Sequence, residues 1–348
     1  MSSSMEEQPA VAVAEGLKQP IDTVDPSSPS RKHLRLVVAL EPLLTLVSIV
    51  LDLVKVIMLG VPRIFREMYS MMVPRPEKDV RGQVVLITGG GNGLGRAMAH
   101  LFAGRGSNLV LVDIDLAAAE RVAEELKQEY GVAARAYRVD VSQFEQCKAL
   151  VDQIDRDGAG PVDILINNAG LLMFAFINDS PVDRANTLMD VNLKSHVWMT
   201  KVFLDGMVKR KRGHIVGISS MSGMYAFPWA VVYSATKFAV SGFMAALAEQ
   251  LRIQGLTRSI RTTCVNPYYV TTRKDVVDFL QKPRFPPLTV DEAARPIVEG
   301  ILREDFVVTI PRLFGVFTRF MLLFPVPVQQ LVRDYLMREY ELNNNVPT

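Results

Sequence analysis

Six short apolar runs, separated by stretches of helical period, follow one another from residue 83 onward. They read as β-strands and lie at 83–88, 107–113, 133–140, 162–168, 213–219 and 260–266. Strands that alternate with helices pair in parallel, because each helix carries the chain back to the same end of the sheet. We therefore predict the α/β class, with a doubly wound parallel sheet over residues 83–312.

A glycine-rich turn joins the first predicted strand to the first helix and reads Thr88-Gly-Gly-Gly-Asn-Gly-Leu-Gly95. Glycines let the backbone approach a pyrophosphate, and the N-terminus of the following helix stabilises the negative charge. Glycine-rich runs also occur in turns that bind no ligand. A strand before the run and a helix after it favour a Rossmann-type nucleotide site. The contacts predicted in this turn are Gly89, Asn92, Gly93, Leu94 and Gly95.

The second predicted strand ends in Asp113, at the distance beyond the turn where dinucleotide sites carry an acid. A carboxylate there accepts hydrogen bonds from the ribose hydroxyls and repels a 2′-phosphate. No Lys or Arg stands at Asn92 or Ile114 to offset this repulsion. We expect NAD as the cofactor, with NADP disfavoured; the alternative is that Asp113 only ends a strand.

Composition argues against several other functions. Hydrophobic residues make up 49% of the 348 residues, and a formal net charge of +2 is too small to favour nucleic acid as a partner. The two cysteines, Cys147 and Cys264, form no disulfide framework, so we expect a reducing environment that faces the cytosol. The four histidines show no ligand spacing, and we predict no metal site.

The chain before the first strand divides into three parts. Residues 1–30 are rich in Ser, Pro, Glu and Gln and are predicted to be a disordered tail. Residues 73–82 are a Pro- and charge-rich linker. Between them, residues 31–72 contain an apolar stretch, 36–62, whose polar side chains recur at helical spacing and form one narrow stripe: Glu41, Thr45, Ser48, Asp52 and Lys55.

We interpret residues 31–72 as a membrane-anchor helix region. The apolar stretch is long enough to span a bilayer, but Glu41, Asp52 and Lys55 would be costly at the bilayer centre. An interfacial or hairpin anchor therefore fits as well as a span, and basic residues on both sides give no clear orientation. A helix packed on the catalytic domain or on a second subunit is the alternative.

Three motifs occur in order, each at a strand end or a helix start: the glycine-rich turn at 88–95, NNAG at 167–170 and YxxxK at 233–237. Together they resemble the short-chain dehydrogenase/reductase family, over residues 80 to 312. The resemblance implies an NAD(P)-dependent oxidoreductase that acts on CH–OH groups. Carried over position by position, it implies four catalytic residues: Asn192, Ser220, Tyr233 and Lys237.

The same resemblance extends the predicted cofactor site. Asp140 and Val141 match the pair beside the adenine. The family's Pro-Gly after the sixth strand is Pro267-Tyr268 here, so this chain departs from the family pattern at the nicotinamide loop. The remaining residues implied to bind the cofactor are Asn168, Ala169, Gly170, Pro267, Val270 and Thr272, together with Tyr233 and Lys237.

Tyr233 is expected to donate and accept the proton. A phenol has an ordinary pKa near ~10, too high for a base at neutral pH. The ammonium of Lys237, one helical turn further along the same face, and a positive nicotinamide ring would favour the phenolate. Asn192 is expected to hold a water that links Lys237 to solvent.

Ser220 is expected to hydrogen-bond the substrate oxygen and to stabilise its developing charge. It lies 13 residues before Tyr233, which is the spacing of the family's serine. Ser219 and Ser222 are close enough in sequence to be the alternatives.

The anchor, the junction at 74–89 and an apolar tail from Phe306 to Tyr340 resemble one branch of the family. That branch contains microsomal retinol dehydrogenases and 17-beta-hydroxysteroid dehydrogenases of the endoplasmic reticulum and lipid droplets. It implies a lipophilic substrate (retinol, a hydroxysteroid or a long-chain alcohol), a membrane or lipid-droplet surface as partner, and a catalytic domain facing the cytosol. We also expect a homodimer.

Apolar side chains that flank the motifs are predicted to form the substrate wall; they are Leu171, Met173, Phe174, Met221, Met224, Tyr225 and Trp229. Residues 271–289 are predicted to cover the pocket as a lid. Residues 313–348 read as an apolar helical extension. Phe314, Phe317, Met321 and Phe324 share one helical face of this extension. The face is interpreted as a second interfacial contact, as a dimer contact or as a core contact.

Two alternative functions remain at this stage. An NADPH-dependent carbonyl (retinal) reductase would run the reaction in the opposite direction, and Asp113 argues against it. A non-catalytic lipid-droplet or membrane protein would keep the fold for interaction alone. Such a protein has no need of all four intact catalytic residues.

Overall fold

A computed structural model describes residues 29–272 and 285–336 of the chain. It divides into two compact units, with the boundary between Arg75 and Pro76. Most of the predicted disordered tail lies outside the described residues, as does most of the predicted lid.

The N-terminal unit is one long helix, α1 (Pro29–Met72), which continues through Pro42 and Pro62. Its segment Leu40–Arg66 has a mean hydropathy of 2.3, and none of the apolar window is buried. Within the polar stripe, the hydroxyl of Thr45 donates to the carbonyl of Glu41 across 2.8 Å. The predicted apolar N-terminal helix is therefore confirmed.

The second unit is built on a parallel sheet of seven strands in the described part of the chain, in the order β3-β2-β1-β4-β5-β6-β7. The doubly wound α/β fold predicted from the sequence is confirmed, and each of the six predicted runs contains a strand. The strands are β1 (Val84–Thr88), β2 (Asn108–Asp113), β3 (Ala134–Arg138), β4 (Val162–Asn167), β5 (Gly213–Ile218), β6 (Ile260–Pro267) and β7 (Val307–Ile310).

The seventh strand was not predicted. Our sequence interpretation placed Val307–Ile310 inside the apolar tail, but these four residues pair in parallel with the end of β6. Register matches Cys264 with Val307 and Pro267 with Ile310. The strand is too short to show a clear period of its own, so its identity depends on the neighbouring strand.

Helices cover both faces of the sheet. Their bounds are α2 (Gly93–Ala103), α3 (Leu116–Tyr130), α4 (Phe144–Arg156), α5 (Val182–Met189), α6 (Ser195–Arg210), α7 (Val231–Ile253), α8 (Val290–Leu302), α9 (Arg312–Met321) and α10 (Val326–Leu336). Side chains of α2, α3 and α8 pack in one core cluster, and those of α4, α6 and α7 pack in a second.

Alternate residues of each strand enter opposite clusters, as the two-residue period of a strand requires. Along β1, Val85 and Ile87 pack under α2 and α8, whereas Val84 and Leu86 pack under α4 and α6. All five residues of β1 are buried. Burying an apolar side chain of this size contributes about 1.5–3 kcal/mol, so the sheet is stabilised from both faces.

The second unit, which contains the sheet, begins before its first strand. Residues 76–82 belong to the predicted linker, yet Val80 is buried, and the backbone amide of Lys78 donates to the carbonyl of Leu302. The side chain of Lys78 also lies 2.9 Å from Nδ1 of the buried His214 on β5. Residues 76–82 therefore pack against the second unit, and the predicted linker bounds of 73–82 stay a prediction.

The strand order reverses at β1, which lies between β2 and β4. The chain leaves β1 towards β2 and β3, then crosses to the other side to form β4. Connections on opposite sides of this point open a crevice at the carboxyl ends of the strands, where doubly wound proteins bind their ligands. The predicted site residues fall around this crevice.

Candidate active site

The glycine-rich turn runs from the carboxyl end of β1 into α2. Gly89 and Gly93 have φ angles of +64° and +51°, a backbone conformation that residues with a side chain rarely adopt. A Cβ added to Gly95 would collide with the carbonyl of Gly89 and lie 2.8 Å from Nδ2 of Asn168. The turn is therefore too tight for side chains at these positions, and it presents its backbone at the helix N-terminus.

Thr88 joins the ends of β1 and β4 beneath this turn. Its hydroxyl accepts hydrogen bonds from the backbone amides of Asn168 (2.9 Å) and Ala169 (3.0 Å). The side chain of Asn168 returns a bond from Nδ2 to the carbonyl of Thr88 across 2.8 Å. The NNAG motif thus fixes the shape of the turn from the neighbouring strand.

Asp113 points back at the same turn from the end of β2. Its Oδ2 accepts a hydrogen bond from the amide of Gly91 at 2.9 Å, and its Oδ1 accepts one from the amide of Asp115 at 3.1 Å. A Cβ at Gly91 would lie 3.0 Å from that carboxylate. The negative charge is thereby held beside the turn, where a nucleotide ribose would lie in a Rossmann site.

One cleft of about 650 Å³ runs along the carboxyl ends of the strands. The structure brings every residue predicted to bind the cofactor to its wall, and the lining extends to Ser220 among the catalytic residues. The predicted cofactor residues in the wall are Gly89, Asn92, Gly93, Leu94, Gly95, Asp113, Asp140, Val141, Asn168, Ala169, Gly170, Tyr233, Lys237, Pro267, Val270 and Thr272.

Tyr233 and Lys237 stand one turn apart at the start of α7. The Nζ atom of Lys237 lies 5.7 Å from the centre of the Tyr233 ring and donates to the carbonyl of Ile218 at 3.0 Å. The Ser220 hydroxyl lies near enough to the Tyr233 phenol to lower the pKa of that phenol. The phenol, the hydroxyl and the ammonium therefore converge at the inner end of the cleft.

Burial controls the protonation of this group. It lowers the pKa of the Lys237 ammonium to about 8, because a charge is costly away from water. Burial raises the pKa of the Tyr233 phenol, and the neighbouring Ser220 hydroxyl opposes part of that rise.

The three neighbouring serines have different surroundings. Ser219 is buried and donates to the carbonyl of Lys237 at 2.8 Å, and its hydroxyl lies 2.9 Å from that of Ser241. Ser220 is half-buried, and its hydroxyl accepts from the amide of Ser222 at 3.1 Å. Ser220 is the serine whose hydroxyl lowers the pKa of Tyr233, and its role towards the substrate stays a prediction.

Asn192 lies behind the cleft, in a π-helical turn (Asp190–Lys194) that joins α5 to α6. Its side chain accepts from the amide of Leu171 at 2.7 Å and donates to the carbonyl of the same residue at 2.9 Å. Nδ2 also lies 3.2 Å from the hydroxyl of Thr236. The side chain therefore ties the segment after NNAG to α7, while its role in a proton relay stays a prediction.

Aromatic side chains form the wall on the substrate side of Tyr233. Phe174 and Trp229, both predicted wall residues, pack in one cluster with Phe227, and Tyr233 and Tyr269 pack against it. The ring centres of Phe227 and Tyr269 are 5.6 Å apart. Leu171 and Met221 line the cleft itself.

The other predicted wall residues lie elsewhere. Met173 packs in a separate small cluster with Leu188. The hydroxyl of Tyr225 donates to the carbonyl of Gln329 on α10 at 3.0 Å. Phe227 and Tyr269 both line the cleft and were not predicted, although the aromatic pair that follows Pro267 was a signal available in the sequence.

The fold and this site together define a nicotinamide-dependent oxidoreductase of the Rossmann type. The family model described as short chain dehydrogenase matches residues 83–279. The chain is 32% identical over 281 residues to "17-beta-hydroxysteroid dehydrogenase 13" of Homo sapiens, an alignment that covers 80% of this chain and 91% of the relative. It is 36% identical over 270 residues to "Epidermal retinol dehydrogenase 2" of Mus musculus, with coverage of 76% and 85%. The chain belongs to the short-chain dehydrogenase family.

Solved structures agree with this fold. A short chain dehydrogenase/reductase from Burkholderia phymatum in complex with NAD superposes with a TM-score of 0.63 at 24% identity, covering 78% of this chain and 98% of that one. A short-chain dehydrogenase from Sphingobium yanoikuyae in complex with NADPH gives 0.60 at 26% identity, with coverage of 75% and 97%. A nicotinamide cofactor is therefore supported, in either of its two forms.

Proposed function

We propose that this chain is a membrane-attached oxidoreductase that transfers hydride between NAD(H) and a lipophilic alcohol or the corresponding carbonyl compound. The observation that carries the proposal is the position of Tyr233, Ser220 and Lys237. They converge between a nucleotide-sized cleft and an aromatic wall. An alcohol carbon held against that wall would lie between the proton-transfer group and the cofactor.

The cleft fits a dinucleotide on the chain's own geometry. The turn from Gly89 to Gly95 has no space for a side chain at Gly95 and places backbone at the start of α2, where a pyrophosphate is stabilised. A Cβ at Gly93 would come within 3.4 Å of Thr272, so the two sides of the cleft close around a narrow space. The carboxylate of Asp113 would accept hydrogen bonds from the ribose hydroxyls and repel a 2′-phosphate. This supports NAD(H) as the cofactor.

When bound, the nicotinamide accepts or supplies the hydride, and the protein moves the proton. Ser220 would donate a hydrogen bond to the substrate oxygen and hold it beside the Tyr233 hydroxyl. During alcohol oxidation, the phenolate of Tyr233 takes the hydroxyl proton, and the Lys237 ammonium stabilises the phenolate beforehand. In the reverse direction the neutral phenol returns the proton to the carbonyl oxygen.

The relatives' names support a lipophilic substrate, because one is named for 17-beta-hydroxysteroids and another for retinol. The rings of Phe227 and Tyr269, which line the cleft, support the same class, since such rings pack against extended apolar ligands. Phe174 and Trp229 are buried and pack in the same cluster. We propose a retinol, a hydroxysteroid or a long-chain alcohol as the substrate.

Helix α1 supports attachment to a lipid surface. Its apolar side chains between Leu40 and Arg66 are exposed, and water does not tolerate an apolar surface of that length. With the family resemblance, this supports the endoplasmic reticulum membrane or a lipid droplet as the location and the cytosol as the side of the catalytic unit. A homodimer remains part of the proposal.

An activity screen on membranes that carry the full chain tests the proposal. NAD(H)-linked turnover of at least one steroid, retinoid or long-chain alcohol is expected, and Tyr233→Phe membranes are the matched control. Turnover that the Tyr233→Phe variant retains would assign the activity to another protein. A full chain that binds neither nicotinamide cofactor would overturn the proposal, whereas faster turnover with NADPH and carbonyl substrates would favour the reductase.

A further inference from the structure

The last two described helices expose an apolar surface on the catalytic unit. We call it the C-terminal apolar face and define it by Leu313, Phe317, Phe320, Leu323, Val326 and Leu331. Leu313, Leu323 and Leu331 keep 78%, 80% and 70% of their surface exposed. Scattered apolar residues are ordinary on a protein surface, but a group of large exposed apolar residues usually marks a binding surface.

The orientation of this face is fixed by the opposite side of α9. Gly315, Thr318 and Met321 are buried. A Cβ at Gly315 would collide with the side chain of Thr309 on β7, so the helix lies directly on the sheet edge. The exposed side chains are therefore the outer side of a packed helix, and rotating it to hide them would break its contact with β7.

The same helices border the substrate side of the active site. The ring of Phe314 on α9 lies 5.3 Å from the ring of Tyr268, which lines the cleft. On α10, the carbonyl of Gln329 accepts from Tyr225, whose ring lies 6.0 Å from the guanidinium carbon of Arg333. Tyr268 thus connects the cleft to α9, and Tyr225 lies beside α10.

Charge helps to identify what covers this face. Between Pro311 and Leu336 the chain carries three arginines, Arg312, Arg319 and Arg333, and one acid, Asp334. In a twofold contact the same patch would meet itself, so the net positive charge that three arginines and one acid leave would meet an equal charge. Basic residues beside exposed Phe and Leu instead complement an anionic lipid surface, which accepts the apolar side chains and attracts the arginines.

We infer that the C-terminal apolar face lies in an anionic lipid surface and that the lipophilic substrate passes from the lipid into the cleft beside Tyr268. This inference rests on the proposed function, because α1 holds the catalytic unit near the lipid. A tethered face meets the surface at a high effective concentration, so modest affinity is sufficient. The substrate then reaches the site without crossing water, where its solubility is low.

A lipid-quenching experiment on the full chain tests the contact. Cys147 and Cys264 are both buried, so a new exposed cysteine is labelled selectively with an environment-sensitive fluorophore. Leu323→Cys carries the label on the face. Ile253→Cys is the matched control, because Ile253 is 74% exposed at the far end of α7, roughly 30 Å of helix from Tyr233. Both proteins are reconstituted with phosphatidylcholine–phosphatidylserine vesicles that contain a spin-labelled lipid quencher.

The expected result is a blue shift and at least twofold quenching of the label at position 323, with neither change at position 253. Vesicle flotation of the same samples reports attachment through α1 independently. A chain that floats with vesicles while the label at 323 stays in water would overturn this inference and leave the proposed anchor intact. A label at 323 that is shielded but unquenched would show that a second copy or another part of the chain covers the face. A chain that fails to float would overturn both.

Substrate delivery supplies a second, functional readout. Leu313→Glu/Leu323→Glu removes apolar contact from the face without touching the catalytic group, and Ile253→Glu is its control. For a long-chain alcohol dissolved in the vesicles, kcat/KM is expected to fall about tenfold in the double variant. For a short, water-soluble alcohol it is expected to stay within twofold of the wild type. Equal losses for both alcohols, or no loss for either, would contradict lipid entry.

Discussion

The hydroxyl of Ser219 donates a hydrogen bond to the backbone carbonyl of Lys237 across 2.8 Å. That bond links the end of β5 to α7, the helix that carries Lys237. The adjacent Ser220 lines the cleft, and its hydroxyl lowers the pKa of Tyr233. One serine therefore holds α7 in place, and the next is available to the substrate.

The first prediction follows from this division between the serines. Ser220→Ala is expected to lower kcat by about 10²–10³, the loss typical when one donor to a developing oxyanion is removed. Ser219→Ala is expected to act mainly on stability, because it leaves the hydroxyl of Ser241 without this partner. Steady-state kinetics and thermal unfolding of the two variants and of Ser222→Ala separate these effects. If Ser222→Ala loses the most turnover, the assignment of Ser220 is wrong.

The second prediction concerns the proton donor. Tyr233→Phe keeps the ring in its aromatic cluster but removes the hydroxyl, so turnover is expected to fall to background while cofactor binding changes less than fivefold. Fluorescence titration with NADH measures cofactor binding, and end-point assays of product formation measure turnover. Residual turnover above about 1% of wild type would mean that another group transfers the proton.

The third prediction concerns pH. Burial lowers the pKa of Lys237 to about 8 and raises that of Tyr233, and alcohol oxidation needs the phenolate. The oxidation rate is therefore expected to rise as pH increases, while carbonyl reduction, which needs the neutral phenol, falls. Lys237→Met removes the ammonium that stabilises the phenolate and should move the rise in kcat/KM up by at least one pH unit. Lys237→Arg keeps the positive charge, so a profile displaced as far as that of Lys237→Met would contradict this electrostatic role.

The fourth prediction tests the cofactor choice. Wild type is expected to bind NAD(H) at least tenfold more tightly than NADP(H), a difference of about 1.4 kcal/mol. Asp113→Asn keeps an oxygen that can accept from the amide of Gly91 but removes the negative charge. It should raise NADP(H) affinity about tenfold and change NAD(H) affinity less than fivefold. Tighter binding of NADP(H) to the wild type, measured by calorimetry, would overturn the preference.

The fifth prediction concerns acid stability. Burial lowers the pKa of His196 to about 3, with the charge of Lys237 as a smaller cause. Burial also lowers the pKa of His214 well below its ordinary value. Below about pH 6.5 the unfolded chain binds protons at both histidines and the folded chain does not, so stability falls as pH falls. Each histidine contributes about 1.4 kcal/mol per pH unit in that window.

His196→Leu isolates this effect, because the ring nitrogens of His196 have no hydrogen-bond partner in the described structure. Urea unfolding of the full chain in detergent at pH 7, 6 and 5 measures the slope, and the variant should lose roughly half of the histidine contribution. Equal slopes in the two proteins would show that His196 takes up its proton without unfolding.

Much of the site could be predicted because its motifs lie at equivalent places in the fold. The glycine-rich turn, Asp113, NNAG and Ser220 all follow the carboxyl ends of strands, and parallel strands bring those ends to one edge. Spacing along α7 then places Lys237 one turn after Tyr233. The local sequence was sufficient to predict a site residue wherever the parallel sheet by itself places that residue at the common edge.

The features that were missed depend on contacts distant in sequence. Strand β7 exists because it pairs with β6, and its four residues carry no clear pattern of their own. Phe227 and Tyr269 reach the wall from different loops, and only packing brings their rings together. The bonds from Asn192 to Leu171 also need the three-dimensional fold, because 21 residues separate the two.

The π-helical turn at Asp190–Lys194 constrains how this chain can vary. It holds one residue more than an α-helical turn would, and the helix that follows keeps its register from that point. Deleting a single residue there would restore an α-helical turn, so His196, Met199 and Phe203 would still face the core. The position of Asn192 would change instead, because its two bonds to Leu171 are made from inside the wide turn. Any variant of this enzyme with a shortened turn could therefore keep its core but would lose the present asparagine position.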